Sequence, residues 1–169
     1  MDIIQQLIEK LKLKPHPREG GYFAESYRST EIIPQDALDG RYASRRHHAT
    51  AIYYLLTPDT YSELHRLASD EIFHFYLGDA VEMLQLFPDG GGKIITLGND
   101  ILSGMSPQVV ASRGVWQGSR MKKGGKYALL GTTVSPGFEY QDYESGSRAK
   151  LIGLYPQFNE EIKALTSEP

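Results

Sequence analysis

The chain has 169 residues, no cysteine and a formal net charge of -3 at pH 7, and 40% of its residues are hydrophobic. This length predicts one domain with a sizeable core, spanning residues 1–169. The absence of cysteine excludes disulfides, thiolate nucleophiles and sulfur metal ligands. The slightly acidic balance lacks the basic field on which non-specific nucleic-acid binding depends, so we expect no nucleic-acid polymer as a partner.

The N-terminal residues predict a short amphipathic helix. Its apolar residues recur at intervals of three and four: Ile3, Ile4, Leu7, Ile8 and Leu11. Pro15 and Pro17 end the pattern. The segment has an early acid, Asp2, and no long apolar run, which fits neither a signal peptide nor a membrane span. We therefore expect a cytoplasmic protein without membrane insertion.

The rest of the chain is patterned for β-structure. Alternating or short apolar runs, separated by turns rich in Gly, Pro and Asp, predict strands at 22–27, 51–57, 61–67, 71–77, 81–87, 93–97, 108–111, 115–121, 127–134 and 138–143. A short helix entered at Pro156 is predicted to follow. Many short strands at this spacing predict an all-β sandwich or barrel.

His65 and Glu71 are the leading candidates for catalytic residues. Alternate residues of a strand share a face, so a hairpin at 68–70 is expected to bring these two side chains together inside the barrel. Burying an ionised carboxylate without a partner costs several kcal/mol. Glu71 is therefore expected to be paired, bound to a metal, or shifted in pKa.

The segment around these residues resembles the first motif of the cupin superfamily, in which two His, a Glu and a closing Gly recur at fixed spacing. His65, Glu71 and Gly78 match that motif, whereas Leu67 stands at the position of the second His ligand. In the second cupin motif a His completes the metal site, and here the equivalent position holds Gln117. Longer stretches, at 14–28, 50–57, 70–78, 114–117 and 134–139, resemble one compact, uncharacterised cupin family.

This resemblance implies the fold. It is a cupin double-stranded β-helix, also called a jelly-roll barrel, with short N- and C-terminal helices, related in fold to dTDP-sugar epimerases (RmlC-like proteins) and germins. It also implies an interior ligand pocket and a homodimer, with exchange of N-terminal strands near Gly20 and Gly21. The fold alone does not specify a reaction.

The expected ligands are weak for a metal site, because a stable divalent site needs three or four strong ligands. This pocket is expected to offer one imidazole, one carboxylate and one neutral amide, from His65, Glu71 and Gln117. We expect no tightly bound cofactor. A divalent metal, if present, is expected on those three residues.

Further residues are candidates for ligand binding. Trp116 and Phe138 fit either a plain core or a stacking wall for a sugar or base, and Tyr76 has the same two interpretations. His74 lies on the face opposite Glu71 in a regular strand, and a bulge at the barrel rim would turn it inward. Gln117 is expected to hydrogen-bond a substrate oxygen.

Cations from loops complete the candidate set. The run Arg45-Arg46-His47-His48 and the isolated His16 are expected to be solvated surface residues. The alternative for the basic run is a phosphate site at the pocket rim, where Arg45, Arg46 or Arg66 would hold the anion.

These residues support three hypotheses of function. The first is an isomerase or epimerase of a sugar phosphate or nucleotide-sugar, with His65 and Glu71 as the acid–base pair. The second is a carbohydrate- or metabolite-binding cupin without turnover, which the Leu67 replacement favours. The third is a metal-dependent cupin enzyme.

Overall fold

The computed structural model describes residues 2–167, and three short α-helices lie near the ends of this range. They are α1 (Ile3–Leu11), α2 (Arg148–Leu154) and α3 (Asn159–Ala164). Helix α1 ends where Lys12 adopts a left-handed backbone conformation and its N–H bonds to the carbonyls of the last turn. Pro156–Phe158 forms a 3-10 turn that leads into α3, close to the predicted helix start. Helix α2 was not predicted from the sequence.

The β-structure consists of thirteen described strands, eight of which are six residues or longer and form the barrel walls. In chain order they are β1 (Lys14–Pro15), β2 (Tyr22–Arg28), β3 (Ile32–Ile33), β4 (Arg46–His47), β5 (Thr50–Leu56), β6 (Tyr61–Arg66), β7 (Asp70–Gly78), β8 (Val81–Leu86), β9 (Gly92–Leu97), β10 (Gln108–Ala111), β11 (Trp116–Met121), β12 (Ala128–Ser135) and β13 (Glu144–Ser145).

Two antiparallel sheets form the barrel. The larger has the order β1-β2-β5-β12-β7-β10 and the smaller β13-β6-β11-β8-β9, while β3 and β4 pair separately. The main core is made of inward side chains from both sheets, for example Phe73 and Leu130 from the larger and Met83 and Met121 from the smaller. The predicted all-β jelly-roll architecture with short terminal helices is therefore confirmed.

The helices cover the outer faces of the two sheets. The apolar stripe of α1, including Leu7 and Leu11, packs against Leu55 and Leu129 of the larger sheet. Residues of α2 and α3 pack with Trp116 and other outward side chains of the smaller sheet. Both arrangements are possible because many strands carry apolar side chains on both faces, so that the outward side chains can pack against a helix. No helix between residues 2 and 167 is long and apolar enough to span a lipid bilayer.

The predicted strand at 138–143 is wrong. Residues Tyr140–Asp142 form a 3-10 turn after a cis peptide bond between Ser135 and Pro136. The backbone N–H of Gly137 donates to the carbonyl of His47, and that of Phe138 donates to the Thr50 hydroxyl. Because these two N–H groups are used in loop contacts and Pro136 has no N–H, the segment does not pair with a neighbouring strand.

Candidate active site

A cavity of about 330 Å³ opens between the larger sheet and the segment that precedes β2. Its wall contains eight acidic or basic side chains, two of them deep in the barrel, together with aromatic and aliphatic groups. The lining residues are Lys14, His16, Glu19, Phe23, Glu25, Arg28, Thr50, Ala51, Ile52, His65, Leu67, Glu71, Thr132, Val134, Phe138, Glu139, Tyr140 and Tyr143.

His65 and Glu71 meet in this cavity, as their spacing predicted. His65 lies on β6 and Glu71 on β7, and their side chains are 1% and 8% exposed. The Nδ1–H of His65 donates to the carbonyl oxygen of Glu63 at 2.7 Å, because a carbonyl can only accept. The other ring nitrogen, Nε2, is then left 3.9 Å from Glu71 Oε2.

Gln117 hydrogen-bonds the Glu71 carboxylate from a position outside the cavity lining. It lies on β11 opposite His65 in the strand register, and its Nε2 donates to Glu71 Oε2 at 2.5 Å. The side chain is buried and does not line the cavity. Gln117 therefore orients the carboxylate, and the expectation that it contacts a substrate oxygen is not met by this geometry.

Glu19 and His16 enter the cavity from the segment before β2, and the sequence analysis missed both. Glu19 Oε1 accepts a 2.5 Å hydrogen bond from the Ser62 hydroxyl. His16 Nδ1 accepts from the backbone N–H of Glu19 at 2.8 Å, and its Nε2 lies 3.8 Å from Glu19 Oε2. The His16 side chain is only 5% exposed, so its assignment to a solvated loop was wrong. Pro15 and Pro17, which hold the backbone around His16 extended, were the available signal.

The charges of these groups are coupled. Burial lowers the pKa of His65, but the carboxylates of Glu19 and Glu71 outweigh it and raise the pKa to about 9. Burial and the neighbouring His65 charge lower the pKa of His16 to about 4. Burial, with the Glu71 charge, raises the pKa of Glu19. At pH 7 His65 is therefore an imidazolium and His16 is neutral.

Aromatic rings close the cavity. The Tyr143 ring stacks on His65 with centroids 4.7 Å apart, and its hydroxyl donates to Glu63 at 2.9 Å. Burial, followed by the Glu19 charge, raises the pKa of Tyr143 above its usual range, so the phenol stays protonated. Phe138 also lines the cavity and meets Tyr140 edge-on at 5.1 Å between centroids.

His74 and Tyr76 lie on the outer face of the larger sheet, contrary to the expectation that they face the ligand. His74 Nε2 lies 3.1 Å from the Thr133 hydroxyl, and Tyr76 is 46% exposed. The pairing of β7 with β12 does contain a bulge, but Tyr76 is the unpaired residue. Since the bulge comes after His74, it does not turn that ring inward.

Trp116 and Arg66 also lie away from the cavity. Trp116 precedes Gln117 on β11 and faces the opposite side of the sheet, where it packs beneath the C-terminal helices. The Arg66 guanidinium lies 4.5 Å above the Trp116 ring and pairs with Glu144. Trp116 therefore has the core role that was one of its two interpretations, and neither its ring nor Arg66 lines the cavity as a ligand contact.

Within the basic run before β5, Arg45 is exposed but Arg46 is buried. Arg46 is 0% exposed and forms a two-pronged ion pair with Asp142 at 2.5 and 3.0 Å. The lysine and the arginine that line the cavity are Lys14 and Arg28, and Arg28 is already bound to Glu25 and Glu139. Both interpretations of Arg46, a solvated residue or a phosphate ligand, are corrected by its buried partner.

The donor set does not fit a divalent metal. Among residues 2–167, no group of three or more His, Asp or Glu side chains is arranged to hold an ion. Leu67, which is 7% exposed, lines the cavity at the position of the second His of the cupin motif.

Comparison with known proteins places the chain in a family. The sequence pattern described as Cupin superfamily (DUF985) matches residues 5–146. An uncharacterized protein of Saccharomyces cerevisiae is 31% identical over 148 residues, which cover 83% of this chain and 73% of that protein. A hypothetical protein from Leishmania major is 32% identical with a TM-score of 0.88 and covers 99% of this chain and 100% of the other. A Shewanella oneidensis protein is 32% identical with a TM-score of 0.86, and both chains are covered completely.

More distant structures share the fold alone. A variant of Bacillus subtilis oxalate decarboxylase is 14% identical with a TM-score of 0.54, and the match covers 93% of this chain and 38% of that one. Similarity at this level carries no activity across. The matched pattern and the relatives, taken with the two-sheet barrel, show that this chain belongs to the cupin superfamily, in the family described as DUF985.

Proposed function

We propose that the protein is an isomerase or epimerase that uses acid–base chemistry on a small polar ligand, with His65 as the acid and Glu71 as the base. The observation that carries the proposal is a buried imidazole and a buried carboxylate 3.9 Å apart on the wall of a cavity of about 330 Å³. Pairs of titratable groups in such pockets are typical of proton-transfer sites.

The chemistry follows from the protonation states. Glu71 takes a proton from a carbon next to a carbonyl, and the electron pair of the broken C–H bond forms a carbon–carbon double bond. The imidazolium of His65 donates a proton to the carbonyl oxygen, which gives an enediol. Glu71 then returns its proton to the neighbouring carbon, while the now neutral His65 takes the proton of the other enediol hydroxyl, which forms the new carbonyl and completes isomerisation. If the proton returns instead to the other face of the same carbon, His65 takes back the proton it gave, the original carbonyl re-forms and the result is epimerisation.

The cavity supports a sugar-sized ligand. Its volume is at the lower end of the ~300–1,000 Å³ range of small-molecule sites. A sugar ring fits within it, whereas the nucleotide part of a nucleotide-sugar would extend through the mouth. A phosphate would meet Lys14, an exposed lysine of the wall, because Arg28 is occupied by two carboxylates.

A panel of sugar phosphates and nucleotide-sugars in deuterated water tests this proposal. We expect one or more members to raise the melting temperature, because a ligand bound only by the native state stabilises it. The same compounds should gain deuterium at the carbon next to the carbonyl, measured by NMR. The Glu71→Gln variant should lose this exchange at least ~100-fold. Undiminished exchange in that variant contradicts the assigned base.

A second candidate is a metabolite-binding cupin without turnover. Leu67 favours it, since an aliphatic wall replaces a ligand that catalytic cupins of the metal-dependent kind require. A compound that stabilises the protein but is recovered without deuterium after long incubation supports this candidate over the first.

We also propose a homodimer. The outer face of the larger sheet leaves several apolar side chains exposed beyond the area covered by α1, among them Tyr27, Tyr76 and Val110. Sedimentation at micromolar concentration should give twice the 18.9 kDa mass of one chain, and a species of 18.9 kDa alone would contradict the proposal.

A further inference from the structure

The deep part of the cavity contains two largely buried carboxyl groups, Glu19 and Glu71, beside one charged imidazole, His65. The side chains of Glu19 and Glu71 are 11% and 8% exposed. The cation that interacts with both is His65, whose pKa burial lowers but the two carboxylates raise to about 9. His16 adds no charge at pH 7, because burial lowers its pKa to about 4. With both carboxylates ionised the cluster would lack one positive charge, and burial together with the Glu71 charge accordingly raises the pKa of Glu19.

Glu71 keeps one oxygen available for a ligand. Its Oε2 accepts the hydrogen bond from Gln117 and is the oxygen nearest to His65. Its Oε1 receives no hydrogen bond from any residue between 2 and 167. More than nine-tenths of this side chain is buried, and the part that remains faces the cavity. This oxygen is therefore free to accept a hydrogen bond from a ligand in the cavity.

We infer that the ligand carries a primary ammonium group, which binds between Glu19 and Glu71 as in an amino sugar or another sugar-sized amine. The inference rests on the proposed role of this cavity as the substrate site and names the class of substrate.

An ammonium group meets the requirements of this site better than the other polar groups. It brings the missing positive charge and three N–H donors, enough for both carboxylates and one more acceptor. A hydroxyl brings one donor and no charge. A phosphate at the same depth would be repelled by the two carboxylates. The rings of Phe23 and Tyr143 also line the cavity, and aromatic faces attract cations.

The mouth of the cavity has different chemistry, which allows a ligand with charges of both signs. Lys14 lines the rim with its ammonium 5.5 Å from the centre of the Phe23 ring. A phosphate on the ligand would lie there, away from the carboxylates.

Two commercial sugars that differ at one group provide the first test. D-glucosamine 6-phosphate and D-glucose 6-phosphate are titrated into the protein by calorimetry at pH 7. We expect the amine to bind at least ~10-fold more tightly, since a hydrogen bond between charged groups contributes that much. The preference should disappear in Glu19→Gln and in Glu71→Gln. It should persist in Glu82→Gln, because Glu82 pairs with Arg120 and does not line this cavity.

A probe that needs no variant provides the second test. Methylammonium chloride is added to the wild-type protein and the imidazole signals of His65 are titrated by NMR, with sodium chloride as the matched control. A cation bound to the two carboxylates should lower the pKa of His65 by at least ~0.5 units. Equal binding of the two sugars, tighter binding of glucose 6-phosphate, or a pKa of His65 unmoved by methylammonium would overturn the inference.

The outcomes separate this inference from the proposed function. If the amine binds with the expected preference but gains no deuterium, the isomerase proposal fails and the ammonium site stands. If neutral sugar phosphates exchange deuterium without any preference for the amine, the isomerase proposal stands and the ammonium site fails.

Discussion

The side-chain amide of Gln117 donates to Glu71 Oε2 at 2.5 Å, and this contact joins the two sheets of the barrel. Gln117 stands where the second cupin motif normally has a metal-binding His. In this chain the position serves to hold a carboxylate instead. An amide that donates a hydrogen bond thus stands where the motif has an imidazole that binds a metal.

Removing this donor should destabilise the protein. Gln117→Leu keeps the side-chain size but leaves the buried Glu71 oxygen without its partner, which costs about 1–3 kcal/mol in the free energy of unfolding. Gln157→Leu is the control, because the amide of Gln157 bonds to Gly90 at an exposed position, and it should cost less than about 0.5 kcal/mol. Urea denaturation at pH 7 compares them. Equal losses would show that the Glu71 contact contributes nothing specific.

Stability should fall at alkaline pH because of His65. Its pKa is about 9 in the folded protein, where the carboxylates outweigh the effect of burial, against 6.5 as the ordinary value. The native state therefore holds a proton that the unfolded chain has lost between these values. Its contribution is complete below pH 6.5 and is lost as the pH rises through 9, by about 3 kcal/mol in all.

Denaturation curves at pH 6.5, 8 and 9.5 measure this loss. The His65→Gln variant should show a much shallower decline than the wild type over that range. An identical decline in the two proteins would mean that His65 does not carry the extra proton.

Two arginine ion pairs should differ in their contribution to stability. Arg46 and Asp142 are almost completely buried, at 0% and 5% exposure, whereas Arg66 and Glu144 are 41% and 55% exposed. Arg46→Met leaves a buried carboxylate unpaired and should cost about 3–5 kcal/mol. Arg66→Met should cost less than about 1 kcal/mol. Melting temperatures and urea midpoints would contradict this ranking if the Arg66 variant lost as much as the Arg46 variant.

Gly78, the closing residue of the first motif, should not tolerate a side chain. Its φ is +102°, and a Cβ there would collide with the backbone carbonyl of Tyr127. Gly90 has a φ of +87° but nothing within 4 Å of its Cβ position. Gly90→Ala should cost about 1–2 kcal/mol from backbone strain alone, and Gly78→Ala should cost at least ~2 kcal/mol more. Similar unfolding free energies for the two variants would remove the steric explanation.

Two buried serines should respond in opposite directions. The Ser119 hydroxyl is buried and has no hydrogen-bond partner among the described residues, so Ser119→Ala should leave stability unchanged or raise it by about 1 kcal/mol. The Ser62 hydroxyl donates to the buried Glu19 carboxylate, and Ser62→Ala should lower stability by about 1–3 kcal/mol. Calorimetric melting tests both, and destabilisation by Ser119→Ala would indicate a partner for that hydroxyl.

Local sequence patterns determined the β-rich barrel, the opening helix and the meeting of His65 with Glu71. These features depend on residues within a few positions of each other, since a strand presents alternate side chains to one face. The same alternation placed His74 opposite Glu71 and should have separated Trp116 from Gln117. The assignment of those two neighbours to one pocket came from the motif and not from the strand.

Only the tertiary structure decided which distant segments complete the site and therefore its charge. Glu19 meets Ser62 across 43 residues of sequence, and Arg46 meets Asp142 across 96. Whether a charged side chain is solvated or buried depends on such partners, and no periodicity in the chain encodes them. For this reason the imidazole–carboxylate pair was apparent in the sequence, while the second carboxylate, on which the proposed ammonium site depends, appeared only when the chain was folded.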